Sequence, residues 1–189
     1  MNNSTSCWDS LLGRRDVLIF DCETTGLNSS AECVEIGIIN TIGEIMSHFY
    51  LMPSERYVPQ EASDVHGLTI DKLVMMRAVE YKKIHNHILQ LFHTTTAILS
   101  YNVSFDYRML VQTAEKNKLK IPRDKEWHCI MLDYANHRNE WHPYFQAPRW
   151  HKLEDATRYE GIDTKQTHSA VDDCQLTLKL MQKLSMENN

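Results

Sequence analysis

The sequence predicts an α/β fold: one domain on a mixed five-stranded sheet, with an antiparallel hairpin side and flanking helices. Three observations predict it. The unbroken apolar run Val17-Leu18-Ile19-Phe20 reads as a strand buried on both faces. Two further strand-like segments follow and meet at a tight turn, which makes a hairpin. Beyond them helical and strand-like segments alternate, the pattern of parallel strands joined by helical crossovers.

Taken in order, residues 1–15 read as an N-terminal extension and residues 16–189 as the domain. Trp8, Leu11 and Leu12 share one face of a short helix that would dock on it. The first strand leads into Asp21-Cys22-Glu23, and Thr25-Gly26 breaks it with turn chemistry. Cys33–Asn40 and Glu44–Met52 read as strands around the turn Thr41-Ile42-Gly43, and Pro53–Pro59 as a loop. Thr69 is the N-cap of a short helix over Ile70–Val74. Val79, Ile84, Ile88, Leu91 and Phe92 mark an amphipathic helix from Val79 to Phe92. Ala97–Tyr101 is a fourth strand, followed by a helix over about Ser104–Asn117 with Ser104 as cap. Trp127–Ile130 is a fifth strand, and Met131–His137 continues as a short helix. Trp141–Trp150, with two prolines and four aromatics, reads as an ordered loop before the last two helices, Lys152–Tyr159 and Ser169–Leu184.

At 189 residues the chain can bury a core without disulfides or structural metals. No apolar run approaches the roughly 18 residues of a membrane span, and the N-terminus lacks the pattern of a secretory signal. Five scattered cysteines with no CxxC pair argue for reduced thiols and a cytoplasmic location, and against a zinc site. A net charge of -5 argues against a simple electrostatic nucleic-acid binder. It leaves room for an enzyme that meets phosphates through metals, since two divalent cations would bring the total from -5 to about -1.

The acids carry the chemistry. Side chains alternate along a strand, so Asp21 and Glu23 leave from one face. Like charges repel and burial disfavours both, and no Lys or Arg follows until Arg56. A hard divalent cation suits such a pair; a solvated acidic strand end is the plain alternative. Ligands of α/β sheets gather outside the carboxyl ends of parallel strands. The fourth strand ends there too, with Asp106 in the first turn of the helix beyond it. In His168-Ser169-Ala170-Val171-Asp172-Asp173, helical geometry separates the two adjacent acids. Asp173 falls inside the apolar arc of Ala170, Cys174, Thr177, Leu178, Leu180, Met181 and Leu184, and Asp172 falls outside it with Lys179 and Lys183. An inward carboxylate is expensive unless it is metal-bound or paired with a buried Arg.

Together Asp21, Glu23, Asp106, His168 and Asp173 resemble the signature of the DEDDh exonucleases, within the ribonuclease-H-like superfamily that includes exonuclease X and the polymerase proofreading subunit. FDCETTGL looks like the first motif of that family, YNVSFD the second and HSAVDD the third; VHGLT is also like a recurrent family segment. The resemblance spans about Val17 to Leu184. Tyr101 departs from it, because many members carry His there. What the resemblance implies is a ribonuclease-H-like domain acting as a metal-dependent 3′→5′ exonuclease on DNA. It would release nucleoside 5′-monophosphates from 3′ ends, single-stranded ones first. A 3′→5′ exoribonuclease is the alternative within the family, and a non-catalytic end-binding module the alternative outside enzymes. By the same resemblance Asp21, Glu23, Asp106 and Asp173 hold two Mg²⁺ or Mn²⁺ ions and His168 is the general base. Leu27, Thr25, His66 and Asn102 contact substrate. A polymerase partner and a homodimer are both open, and no membrane is implied.

Two other segments invite a reading. Lys116, Lys118, Lys120, Arg123 and Lys125 would track a phosphate backbone or form a solvated helix end. Trp141, Tyr144, Phe145 and Trp150, interleaved with His142, Arg149 and His151, resemble a stacking platform for single strands. Packing of those rings onto the core is the equal alternative. His85 and His87 read as surface residues and the methionines as core filler.

Overall fold

The computed structural model describes residues 9–162 and 168–187. The five strands expected are present: β1 (Val17–Thr24), β2 (Cys33–Asn40), β3 (Ile45–Tyr50), β4 (Ala97–Ser100) and β5 (Trp127–Cys129), in the order β3-β2-β1-β4-β5. β1 and β2 pair antiparallel, as do β2 and β3, while β1–β4 and β4–β5 are parallel. The hairpin between β2 and β3 turns on Asn40. Its side-chain oxygen accepts the N–H groups of Ile42, Gly43 and Glu44 at 3.1, 3.1 and 3.0 Å. β1 runs to Thr24, so Asp21 and Glu23 lie within the strand rather than at its exit.

Seven α-helices surround the sheet among the described residues: α1 (Gln60–His66), α2 (Ile70–Met75), α3 (His85–Thr94), α4 (Val103–Lys116), α5 (Ile130–Arg138), α6 (Leu153–Tyr159) and α7 (Ala170–Glu187). Several differ from the sequence expectation. α1 is unheralded because its polar sequence carries no apolar stripe; Gly67, at φ 72°, ends it in the left-handed conformation. α3 starts at His85 because Val79 is taken up by backbone pairing, its N–H on Tyr50 O at 3.0 Å and its carbonyl accepting Met52 N–H at 2.9 Å. Tyr81–Lys83 then forms a 3-10 turn, and His85 is buried against the Tyr81 ring instead of lying at the surface. Ser104 sits inside α4, whose cap position is Asn102. Within 141–150 a small antiparallel hairpin forms from β6 (Trp141–His142) and β7 (Ala147–Pro148). Thr69 caps α2 as expected, its hydroxyl accepting Lys72 N–H at 3.3 Å. Near the N-terminus the expected helix is a 3-10 turn, Asp9–Leu11; Leu11 and Leu12 pack on the core, and Trp8 lies outside the described residues.

The sheet separates two cores. Val17, Ile19, Ile39 and Leu99 face α7, α5 and α6, whereas Leu18, Phe20, Cys22, Ile36 and Ile98 face α3 and α4. By alternation along β1, Asp21 and Glu23 share the α7 face with Val17 and Ile19. The described cysteines Cys22, Cys33, Cys129 and Cys174 are free thiols. No described helix is long and apolar enough to cross a membrane.

One glycine lets α7 approach. A Cβ on Gly37 of β2 would stand 2.5 Å from the Ala170 carbonyl carbon, 2.6 Å from Val171 N and 2.7 Å from Ala170 O. All three are backbone atoms of the first turn of α7, so relief requires moving the helix. Gly37→Ala is expected to cost roughly 1–3 kcal/mol, a fall in Tm of roughly 2–12 °C by calorimetry. At Gly43 the nearest atoms are side-chain ends 3.6 and 3.7 Å away, so Gly43→Ala leaves α7 in place and is strained only through its own φ of 101°.

Candidate active site

Two elements bring their acids together on one face of the sheet. β1 supplies Asp21 and Glu23; α7, held close by Gly37, supplies Asp173, which is 7% exposed while Asp172 is exposed. α4 begins directly beyond β4 and places the buried Asp106 at the same end of the sheet. Asp106 is held by the Ser100 hydroxyl, which donates to Oδ2, and by the Cys22 thiol 3.4 Å from Oδ1.

His168 precedes α7 in a left-handed conformation, φ 50°. Ligand atoms of Glu23, His168 and Asp173 all lie within 4.8 Å of one another. Three of the five residues singled out by sequence thus meet, and Asp21 feels the charges of Asp106, Asp173 and Glu23, while Asp172, one position from Asp173, is exposed.

Electrostatics report the crowding. Burial, and then the negative charges of Asp106, Asp173, Glu23 and Glu35, raise the Asp21 carboxyl well above the usual carboxylate range. Glu23 is pushed up to about 8 by burial and by Asp173, Glu35 and Asp106. Asp106 rises to about 6 by burial, with the hydrogen bonds from Ser100 and Cys22 opposing the rise. Clustered, buried carboxylates raise one another's proton affinity, and this donor set fits hard divalent cations.

Glu35 was not singled out by sequence. It faces Glu23 across the β1–β2 register, is buried, and accepts from His48 Nε2 at 2.7 Å and from Ser169 Oγ at 2.9 Å. Because Ser169 follows His168, Glu35 anchors the segment that carries the imidazole. The available signal was one acid inside the otherwise apolar segment Cys33–Ile39.

Beside Glu23 opens a trough of about 520 Å³, lined by Thr25, Leu27, Val65, His66 and Phe105 among others. The Leu27 side chain projects into solvent. Its carbonyl accepts from Arg108 Nη1 at 3.1 Å, and Thr25 Oγ1 accepts Glu32 N–H at 3.0 Å, so the loop is tied at both points. His66 is neutral by its contacts: Nδ1 accepts Leu68 N–H at 3.1 Å, leaving Nε2–H to donate to Thr24 O at 3.1 Å. Burial lowers its pKa in agreement. Asn102 is not among the residues lining the trough; its carbonyl accepts the Phe105 and Asp106 N–H groups instead. Tyr101 is buried, its hydroxyl donating to His151 O at 2.8 Å. In the basic run, Lys116 pairs with Glu32 and Lys125 donates to the carbonyls of His93 and Thr95.

A stability test follows from the raised carboxyls. Unfolded, such groups titrate near about 4; folded, Asp106 and Glu23 keep their protons to about 6 and about 8. Between those limits the folded state binds more protons, so their contribution to stability is lost as pH rises. The Tm of metal-free protein is expected to fall from about pH 5 to about pH 8.5, and Mg²⁺ to raise Tm most at the alkaline end. Scanning fluorimetry checks both, and a Tm indifferent to saturating Mg²⁺ would contradict a metal site.

The Exonuclease family model matches residues 18–181. An uncharacterized exonuclease of Escherichia phage 186 is 35% identical over 176 residues, covering 90% of this chain and 88% of that protein. DNA polymerase III subunit epsilon of Buchnera aphidicola is 27% identical over 183 residues, 89% of this chain and 72% of that one. Among solved structures, the nuclease domain of 3′hExo, a DEDDh family member bound to rAMP, superposes with a TM-score of 0.71 at 19% identity, covering 93% of this chain and 94% of that one. Exonuclease X in complex with 5′ overhanging duplex DNA gives 0.62 at 20% identity, with 90% and 91% covered. At such identities the structural likeness establishes the shared fold.

Proposed function

This chain belongs to the exonuclease family, and from that premise we propose that it is a 3′→5′ exodeoxyribonuclease of DEDDh type releasing nucleoside 5′-monophosphates. The observation that carries the reading is the meeting of Glu23, His168 and Asp173 within 4.8 Å, beside Asp21, whose carboxyl is raised by burial and by neighbouring negative charge that includes Asp106, and beside Asp106, whose carboxyl is raised by burial. Asp21, Glu23, Asp106 and Asp173 would hold two Mg²⁺ or Mn²⁺ ions, which supply countercharge and Lewis-acid stabilisation of the reacting phosphate oxygens.

The chain's own groups do the rest. His168 takes the proton of the attacking water. Phosphorus gains that oxygen and the bond to the O3′ of the preceding nucleotide breaks, leaving a 5′-monophosphate and a shortened strand. The trough seats the terminal nucleotide, with Leu27 against its base and the neutral His66 and Thr25 forming the wall. Asn102, at the start of α4, would contact substrate from the Asp106 side. Ser100 and Cys22 hold the Asp106 carboxylate in place, and Glu35 holds Ser169 and thereby the left-handed His168.

The polymerase epsilon relative supports DNA as substrate and a polymerase as partner. The rAMP bound to 3′hExo supports exoribonuclease activity as the second reading. All five site positions hold chemically competent residues, which disfavours a non-catalytic end-binding module. Digestion of 5′-labelled DNA and RNA oligomers with Mg²⁺, Mn²⁺ or EDTA tests the proposal. The expected result is a DNA ladder shortened from the 3′ end and abolished by EDTA. Faster laddering of RNA would favour the second reading, and internal cleavage alone would overturn both.

A further inference from the structure

The β6–β7 hairpin is not needed to build the acid cluster, yet among the described residues it and the adjoining Trp150 gather four exposed rings in one short segment. Trp141 is 60% exposed, Tyr144 83%, Phe145 70% and Trp150 65%. Packing onto the core is therefore not their role. His151, at the base, is the buried member: it sits edge-on to the Tyr134 and Tyr159 rings, and its carbonyl receives the Tyr101 hydroxyl. Tyr101 is the residue directly after Ser100, which holds Asp106. The hairpin is thus rooted at the end of β4 where the acid cluster lies.

Its charge runs against the rest of the molecule. Residues 141–152 contain Arg149 and Lys152 and no Asp or Glu, in a chain whose net charge is -5. The neighbouring Glu140 is already bridged by Arg138. Exposed apolar area of this kind marks a binding surface. Its pattern of rings with interleaved cations suits a polyanion with flat bases. Two-residue strands offer little backbone for strand addition by a protein partner.

We propose that this hairpin binds the unpaired nucleotides upstream of the scissile 3′ end, its rings stacking on bases while Arg149 and Lys152 meet phosphates. The proposal rests on the exonuclease reading above and sharpens it. Bases in a duplex are stacked on one another and offer no free face, so this surface selects single-stranded substrate.

The test compares a dinucleotide, which lacks the upstream nucleotides, with a 20-nucleotide single strand and the same strand in a blunt duplex. Steady-state kinetics are measured for wild type, Trp141→Ala/Trp150→Ala, Tyr144→Ala/Phe145→Ala and Trp150→Phe, with melting curves to verify folding. Removing a stacking ring should lower kcat/KM on the single strand relative to the dinucleotide by about fivefold or more, mainly through KM. Trp150→Phe should retain most of the preference, and the preference for single strand over duplex should shrink in both double variants. Equal effects on both substrates, or none, would overturn the proposal and leave the rings to a protein partner. Wild type that cuts neither substrate would overturn the exonuclease reading itself, and this proposal with it.

Discussion

Asp173→Ala should abolish nuclease activity while Asp172→Ala keeps most of it, although the two acids are neighbours in sequence. One residue along a helix is a turn of about 100°. That turn puts Asp173 at 7% exposure against the sheet, beside Glu23 and His168, and leaves Asp172 exposed. Loss of a direct ligand should exceed the roughly 10–100-fold cost of disturbing an outer contact. Asp173→Asn, which keeps the shape and removes the charge, should lose activity as well. Single-turnover digestion of a labelled oligomer measures all three variants; comparable loss at both positions would show that α7 does not present Asp173 to the site.

His168 is the second large effect. As general base it is expected to contribute roughly 10²–10⁴-fold to turnover. His168→Ala should therefore lower kcat by about that factor while calorimetry finds Mg²⁺ affinity retained. The histidine sits at φ 50°, where a β-carbon is strained and Asn is better tolerated than Ala. His168→Asn is the cleaner variant, because it removes the base with less backbone cost. Its imidazole also lies within ligand distance of Glu23 and Asp173. A parallel fall in Mg²⁺ affinity for both variants would make His168 a ligand and not the base.

Much of this is readable in the sequence. The first strand announced itself by four consecutive apolar residues, and β2 was bounded as Cys33–Asn40 because apolar strand formers end at turn chemistry on both sides. The inward direction of Asp173 followed from counting angles along one helix. Where elements went astray, a local pattern had been outbid by contact with another part of the chain. Val79 fits a helical stripe but is claimed by Tyr50 and Met52. His85 looks solvent-facing until Tyr81 packs over it.

What the sequence by itself determined is the alphabet of the candidate site: which acids and which histidine to propose, in what order, and on which face of their own strand or helix. Those depend on periodicity within a single element. Only the tertiary structure decided what those groups meet. Glu35 stands opposite Glu23 because of the β1–β2 register, and a slip of one residue would turn it to the other face. Gly37 matters because the backbone of α7 lies against it. The hairpin rings stay in solvent while His151, next in sequence to Trp150, is buried edge-on to Tyr134. Burial and charge–charge repulsion are sums over neighbours distant in sequence, and so they exist only once the chain has folded.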